Sequence, residues 1–456
     1  MGSTSGINLS SLLSAIGSSS SGINVTAAVA AAMSALSAPE AQWEAEQQTL
    51  ATQTSGINQI QTDVTALETS LTALQDPAGA LASMTATSSD PSVVNATAAP
   101  GAAAGTHVVV VNNIASTASW YSNSVATGST PLASGSFTLT LGSGTATQIQ
   151  IGSGVDTLDQ LATSINGQNL GVTASVVTDS SGSRLAITSN NSGSAAGFTI
   201  GNASGLTFTQ ASAGQDASLT VDGIPIDSAS NTVTGAVSGL TLNLTGASPG
   251  GQVTVTVAPD TSTISQAIAT FVGAYNTAIG DVNTQYTVNA SNQEGPLAGD
   301  PAVAMLQDAL LSAAGYSGGG NGVSTLADLG ITMNNDGTLT LDTATLTNAI
   351  QNNPAAVQNF MQGTASNGFA SNLNNQLSTL TDPANGAFTV DLQSISSENT
   401  DLQTQINNFQ TYLNTQQTLL TAEYNQADIA LQEIPEEESQ INAELGYPPS
   451  SSSSSS

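Results

Sequence analysis

Residues 36–74 read LSAPEAQWEAEQQTLATQTSGINQIQTDVTALETSLTAL. Leu36, Trp43, Leu50, Ile57, Val64 and Leu71 recur at a strict spacing of seven, and Ile60, Leu67 and Leu74 fill a second seam three residues on. An apolar pair of seams at this period predicts a helix that supercoils left-handedly against a partner. The helical period begins at Val25. Pro39 belongs in the first turn of the regular part, where its missing N–H costs nothing. Asp76-Pro77 ends the helix, because a proline disfavours helical backbone in the residue before it.

The same pattern returns at the far end of the chain. From about Val390 to Leu431, Ile395, Leu402 and Phe409 form one seam, and Leu392, Ile406, Leu413 and Leu420 form the other, with Asn399 and Gln416 inside them. Pro435 and the acidic run Glu436–Glu438 are expected to close this helix. After Asp260 a further helix is predicted, with Thr263 and Gln266 as its capping box and Ile264, Ile268, Phe271, Val272, Tyr275 and Ile279 on one face. Leu339 and Leu341, after the Asp336-Gly337 turn, read as a short hairpin. Helices with one apolar seam are marginal alone. The Leu36–Leu74 and Leu392–Leu420 seams are therefore expected to pair within the chain, leaving only their extreme ends free for other subunits.

Between them the period is two. Thr106–Val111, Phe137–Leu141, Gln148–Ile151, Val172–Val177, Arg184–Thr188 and Phe198–Ile200 are rich in β-branched residues and read as strands. Leu219–Val221 and Ile224–Ile226 flank Asp222-Gly223, a type I′ hairpin signal. Val253, Val255 and Val257 alternate with threonines. One short helix is expected around Thr157–Asn166. The fold class that follows is α+β and multidomain: a helical coiled-coil stalk from both chain ends with an inserted β-rich head. The expected division is a flexible N-terminal segment (1–35), a stalk (36–80 plus 260–431), a first β domain (81–115 plus 214–259), a second β domain (116–213) and a flexible acidic, Ser-rich tail (432–456).

Composition narrows the function. The 456 residues hold 32 Asp and Glu against a single basic residue, Arg184, for a formal net charge of −31. A polyanion is bound by displacing its counterions with Lys and Arg, so nucleic acid is excluded as a partner. Anionic membrane surfaces and lysine-based phosphate cradles are disfavoured for the same reason. With no cysteine and one histidine, thiolate chemistry, zinc–sulfur sites and polyhistidine metal sites fall away. No stretch reaches the ~18 apolar residues of a membrane-spanning helix, and Met1–Gly22 lacks the basic region of a signal peptide. No cofactor and no catalytic residue is expected. So few cations suggest exposure to an extracellular, acidic medium.

Several segments, taken in order, resemble the flagellar filament-capping family, also called the hook-associated protein 2 family. Ser21-Gly22-Ile23-Asn24-Val25 is similar to the opening of its N-terminal helix, and Ala86–Val94 followed by Gly105-Thr106 to its entry into the β head. Leu158, Leu161, Ile165-Asn166, Val172, Ala174 and Arg184-Leu185 resemble a short repeat shared with flagellins, which falls in the second β domain. Gln215-Asp216-Ala217, Asp222-Gly223, Asn231–Val233 and Gly239–Leu242 are similar to the start of the family's C-terminal region, continued by Phe271-Val272, Tyr275-Asn276 and Pro296–Asp300. The most specific segment runs from Leu326–Ile331 through Asp336–Leu339 and Leu341-Asp342 to Leu346, Pro354, Val357 and Phe360.

The resemblance covers about residues 21 to 431. It implies a structural, non-enzymatic cap at the distal end of the flagellar filament. The cap would be a ring-like homo-oligomer, with a pentamer expected, that assists polymerisation of exported flagellin. It also implies terminal helices pointing toward the filament, export by the flagellar apparatus without a cleaved signal, and, for some members, attachment to host or surface glycans. The chain departs from the family in its near-absence of Lys and Arg, so subunit contacts must rest on apolar packing and amide or hydroxyl hydrogen bonds. A rival reading is another hook–filament junction or flagellin-like protein; another is an adhesin or glycan-binding surface protein.

Other candidate sites read as structural. His107 lies on a strand with no G-x-S-x-G elbow to supply a nucleophile. Thr332–Thr343 mimics a calcium loop with Asn334, Asp336 and Gly337 aligned, but Thr343 stands where the bidentate glutamate is needed. Gly319–Ser324 lacks the aspartate of a calcium-binding repeat. Glu436–Glu438 is a solvated charge run. Arg184 could order a carboxylate or simply face solvent. A pair of acid-hydrolase carboxylates has no sequence spacing to test.

Overall fold

The computed structural model describes residues 24–288, 294–318, 322–363 and 367–445. The readings of Met1–Gly22, of the first half of Gly319–Ser324 and of the Ser-rich end lie outside them. Helix α1 (Val25–Leu36) begins where the Asn24 side chain accepts the Ala27 N–H at 3.1 Å. Helix α2 (Ala38–Gln75) carries Pro39 in its first turn and stops at Asp76. Part of the expected flexible segment 1–35 is thus helical: from Val25 on, the small apolar residues form an ordered helix that packs on the terminal one.

Fifteen antiparallel strands follow, in two nested blocks. In the outer block, β1 (Met84–Ser88), β3 (Gly105–Asn113), β11 (Ala217–Val221), β12 (Ile224–Ser228) and β15 (Val253–Pro259) form a sheet in the order β1-β15-β3-β11-β12. Against it stand β2 (Val94–Ala98), β13 (Thr232–Val237) and β14 (Leu240–Leu244). Their inner faces close one core from Val94, Val109, Val111, Leu219, Leu242 and Val255. Between β11 and β12, Asp222 at φ 51° and Gly223 at φ 81° make the type I′ turn, with Val221 paired to Ile224.

The inner block is inserted between β3 and β11. It holds β4 (Ser119–Ser122), β5 (Gly135–Leu141), β6 (Thr147–Ile151), β7 (Val172–Asp179), β8 (Gly182–Ser189), β9 (Phe198–Gly201) and β10 (Phe208–Ser212), in sheets ordered β10-β4-β8-β7 and β6-β5-β9. Helix α3 (Leu158–Gly167), capped by Thr157, packs on β7 through Leu158, Leu161 and Ile165. Asn166 bonds both backbone groups of Ala174 at 2.7 and 2.8 Å. That covers part of an otherwise open sheet edge.

The helical region resumes with α4 (Thr261–Tyr286). Its cap is Asp260, whose carboxylate accepts the Ser262 and Thr263 N–H groups. The capping box expected at Thr263 and Gln266 is therefore displaced: Thr263 lies in the first turn and donates its hydroxyl to Asp260 at 2.7 Å. Helices α5 (Pro301–Ala314), α6 (Thr343–Asn352), α7 (Pro354–Gln362) and α8 (Phe369–Thr381) follow, with the hairpin β16 (Ile331–Met333) and β17 (Leu339–Leu341) between α5 and α6. The last helix, α9, spans Ala387–Glu444. It passes through Pro435 rather than ending there, so the expected tail is helical as far as Glu444. A proline deletes one ladder bond, and here the turns on both sides carry the helix on.

The helical core gathers Ile57, Ile60, Val64, Leu67, Leu71 and Leu74 of α2 with Phe271, Tyr275, Phe360, Phe369 and Phe388. Phe360 stacks on Phe369 at 5.9 Å, and Phe271 meets Phe369 edge-on at 5.4 Å. Each such ring contributes about 1.5–3 kcal/mol of burial. From Ile57 onward the heptad seam faces α4 and α8 as well as the terminal helix, so it pairs with α9 alone only in its earlier part. The order of elements is the expected one: helices at both ends, strands between them. Among the described residues no helix is long and apolar enough to cross a membrane.

Candidate assembly surface

Helices α1 and α2 run antiparallel to α9. Trp43 meets Phe409 edge-on with ring centroids 5.2 Å apart, and Phe409 stacks on Tyr412 at 5.8 Å. Gln47 donates to the Asn399 carbonyl at 3.4 Å and to the Gln403 side chain at 3.3 Å; Gln410 donates to Glu40 at 2.7 Å. The pair is thus joined by rings and amides, with no cation in it. The outer faces solve a related problem. Thr400, Thr404, Thr411, Thr415, Thr418 and Thr421 each donate the hydroxyl to the carbonyl one turn back, as threonine in a helix can. A polar helix face is built without lysine.

The seam residues sort by depth. Leu50, Ile57, Ile60, Val64, Leu67, Leu71 and Leu74 are buried, as are Leu402, Ile406 and Leu413. Leu36, Trp43, Ile395, Phe409 and Leu420 are half-buried. Leu392 and Ile395 pack on the helical core, while Leu402 to Leu413 serve the two-helix part.

The antiparallel count that sets Trp43 beside Phe409 brings the start of α1 opposite about residue 427 of α9, so α9 runs on for roughly 25 Å beyond it at 1.5 Å per residue. On that extension Leu431, Ile434, Ile441 and Leu445 are exposed, at 43%, 54%, 55% and 66%. Ile434 and Ile441 keep the seven-residue spacing of Leu413 and Leu420, and Leu431 and Leu445 stand a turn away on the same side. An exposed apolar stripe of this kind marks a contact surface. Ending the helix at Pro435 hides it; the uninterrupted spacing of seven across the proline was the signal for it in the sequence.

The remaining candidates are structural. His107 Nδ1 lies 2.8 Å from Asp222 Oδ2, and Asp222 Oδ1 accepts the Val108 N–H at 2.8 Å. The hydrogen bond from His107, aided by that N–H, holds the Asp222 carboxyl below its ordinary range. This contact staples the hairpin turn to β3. Arg184 is half-buried: Nη1 donates to the Ser122 carbonyl at 3.2 Å, Nε stands 3.9 Å from Asp179, and the guanidinium lies 5.7 Å from the Tyr121 ring centre. It braces β4, β7 and β8. Asn334 and Asp336 bond Thr338 and Thr340 within the β16–β17 turn. Among the described residues no group of three or more His, Asp or Glu could hold a metal ion.

Two features escaped sequence reasoning. Asp63, inside the heptad stretch, is buried at 8% exposure between helices. Gly56, in the middle of α2, leaves room for Leu297, whose Cδ1 would stand only 3.0 Å from a Cβ at that position.

Comparison with known proteins bears on this arrangement. A family model described as the flagellar hook-associated protein 2 N-terminus matches residues 21–118, one described as its C-terminus matches residues 214–436, and the flagellin hook IN motif matches residues 136–191. The B-type flagellar hook-associated protein 2 of Pseudomonas aeruginosa is 29% identical over 416 residues, 82% of this chain and 87% of that one. The flagellar hook-associated protein 2 of Salmonella typhimurium is 35% identical over 157 residues, 33% of each chain. A crystal structure of three domains of the flagellar cap protein from Escherichia coli superposes with a TM-score of 0.61 at 25% identity, covering 75% of this chain and 99% of that one.

Proposed function

Since the chain belongs to the flagellar hook-associated protein 2 family, we propose that it forms the structural cap at the distal end of a bacterial flagellar filament. There it acts as a ring-like homo-oligomer that promotes polymerisation of exported flagellin. A pentamer is the expected ring. The observation that supports this most directly is the apolar stripe Leu431–Leu445 on the overhanging end of α9. A helix end of this length with one apolar side, and no covering element among the described residues, suits insertion among other helices, and flagellin at the filament end is the partner the family supplies.

The division of labour follows the three cores. The stalk (residues 36–80 plus 260–431, continued by α9 to Glu444) contacts the filament. The β domains (81–115 plus 214–259, and 116–213) form the plate. No reaction is assigned: the carboxylates whose ionisation is shifted serve helix caps, turns or helix contacts. The cap acts outside the cell, after export by the flagellar apparatus. Attachment to surface glycans is a second role that the β head could carry alongside capping. No nucleic acid and no membrane insertion enter the reading.

Complementation tests it. Expressed in a motile bacterium lacking its own cap protein, together with the flagellin of the source organism, the chain is expected to restore filaments and lower the amount of monomeric flagellin shed into the medium. Unchanged shedding with the protein present in the exported fraction would overturn the reading.

A further inference from the structure

In a chain with one arginine and no lysine, buried carboxylates have no cation to pair with. We propose that the helical region carries a proton-operated clamp at two carboxyl–carboxylate contacts, Asp63 with Asp281 and Asp300 with Asp391, which holds the helices together in mildly acidic medium and loosens them at neutral pH.

The first contact joins α2 to α4. Asp63 is buried, and the Gln59 amide donates to both its oxygens at 3.3 and 3.1 Å. Both Asp63 oxygens thus serve as acceptors within α2. Asp281 faces it from α4 and hydrogen-bonds to it. Two like charges in a half-dry contact cannot both persist, so Asp281 carries the proton. The hydrogen bond with Asp63, then burial, then the Asp63 charge push its carboxyl up to about 6.

The second contact joins the start of α5 to α9 and has the same polarity. Asp300 caps α5, taking the Ala302 and Val303 N–H groups on one oxygen at 2.8 and 3.1 Å, so that oxygen serves as an acceptor to the helix end. Asp391 Oδ2 is buried and has no donor within hydrogen-bond distance. An ionised Asp391 would leave that oxygen desolvated and unpaired; a protonated one donates to Asp300 instead. Burial, and next the Asp300 charge, raise its carboxyl.

Among the described residues, the charged group acting on Asp281 is Asp63, and the one acting on Asp391 is Asp300. The same helices carry further acidic groups, among them Glu68 of α2 and Glu398 and Asp401 of α9, which add negative charge, and the sole arginine sits in the β head. Raising the pH therefore removes a bridging proton at each contact and replaces it with repulsion. The two contacts lie at the junctions of chain-end helices with middle helices: α2 with α4, and α9 with α5.

Thermal unfolding of the full chain in high salt, which screens the surface charge, tests the clamp between about pH 4.5 and pH 7.5. The folding equilibrium is expected to weaken by roughly ten- to a hundredfold across that interval. Asp281→Asn and Asp391→Asn supply a donor that does not titrate, and each should flatten the decline. Asp308→Asn, an exposed change of equal charge, should leave it unaltered. An equal decline in all three variants and the parent overturns the clamp. Should a variant fail to fold, carboxyl-carbon NMR titration of the parent decides: one aspartate titrating near pH 6 and a second raised above the ordinary carboxylate value support the proposal, and all aspartates titrating at or below that ordinary value overturn it.

Discussion

Trp43 and Phe409, from helices at opposite ends of the chain, meet edge to face at 5.2 Å and form the only aromatic contact between α2 and α9 among the described residues. The edge-to-face geometry adds about 0.5–1.5 kcal/mol beyond the area it buries. Because the contact lies outside the helical core, its loss is confined to the two-helix part. Trp43→Ala is expected to cost about 1–3 kcal/mol locally. Hydrogen exchange should show faster exchange in α1 and in α9 beyond Leu402, with protection around Phe271 and Phe369 unchanged. A uniform loss of protection would mean that the stalk and the core unfold together.

Tyr275 tests the core itself. Its hydroxyl donates to the Leu310 carbonyl at 2.9 Å in full burial, and that burial raises the phenol to about 12. Tyr275→Phe keeps the ring and leaves a buried carbonyl without its donor, a loss of about 1–2 kcal/mol. Tyr316 also donates, to the Asn367 carbonyl at 3.0 Å, but at an exposed position where water can replace it. Tyr316→Phe should therefore change the melting temperature far less. Equal shifts in the two variants would show that water reaches Leu310.

These contacts also mark where the sequence was informative. The heptads of α2 and α9, the face of α4 from Ile264 to Ile279, and the Asp222-Gly223 turn all depend on local period or local backbone chemistry, and each stands where the residues put it. Pro435 misled because a proline forbids one hydrogen bond, not a helix, and the surrounding spacing outweighed it. Thr263 misled because a capping-box pattern three residues past Asp260 competes with a better carboxylate cap. Strands such as β2 and β10 were missed since their Ala, Thr, Ser and Gln residues bury little. The acid pairs were illegible for a different reason. Asp63 and Asp281 lie far apart along the chain, and nothing local announces that two carboxylates will meet.

The overhanging stripe separates folding from assembly. Ile434 and Ile441 are more than half exposed, so Ile434→Ser combined with Ile441→Ser should change stability by less than about 0.5 kcal/mol each. If the stripe is the contact with other helices, the double variant should nonetheless fail to restore filament growth in a strain lacking its cap, while being exported normally. Full activity in the double variant would place the contact elsewhere on the molecule.

The acid limb of stability has its own origin, opposite in sign to the clamp. The Ser194 N–H at Asp216, the His107 ring at Asp222, the Thr263 hydroxyl at Asp260, the Ser324 N–H at Asp328, the Thr338 hydroxyl at Asp336 and the Thr345 hydroxyl at Asp342 each hold a carboxyl below the ordinary 3.8. A carboxyl lowered by folding contributes stability that is fully present above the unfolded value and lost as pH falls through the folded one. Asp281, raised to about 6, contributes stability that is fully present below the unfolded value and lost as pH rises through 6. The two limbs leave a maximum between about pH 4 and 6, close to the sequence pI of 4.1, where the self-repulsion of a −31 chain is also least. Melting temperatures measured from pH 2.5 to 8 should trace that peak. Asp260→Asn and Asp342→Asn, which remove two of these carboxyls, should lower the height of the peak while leaving the low-pH end in place, so that the acid limb flattens, and should leave the slope of the decline above pH 5 untouched. A curve that rises steadily to pH 7 would show that the lowered carboxyls outweigh the paired ones.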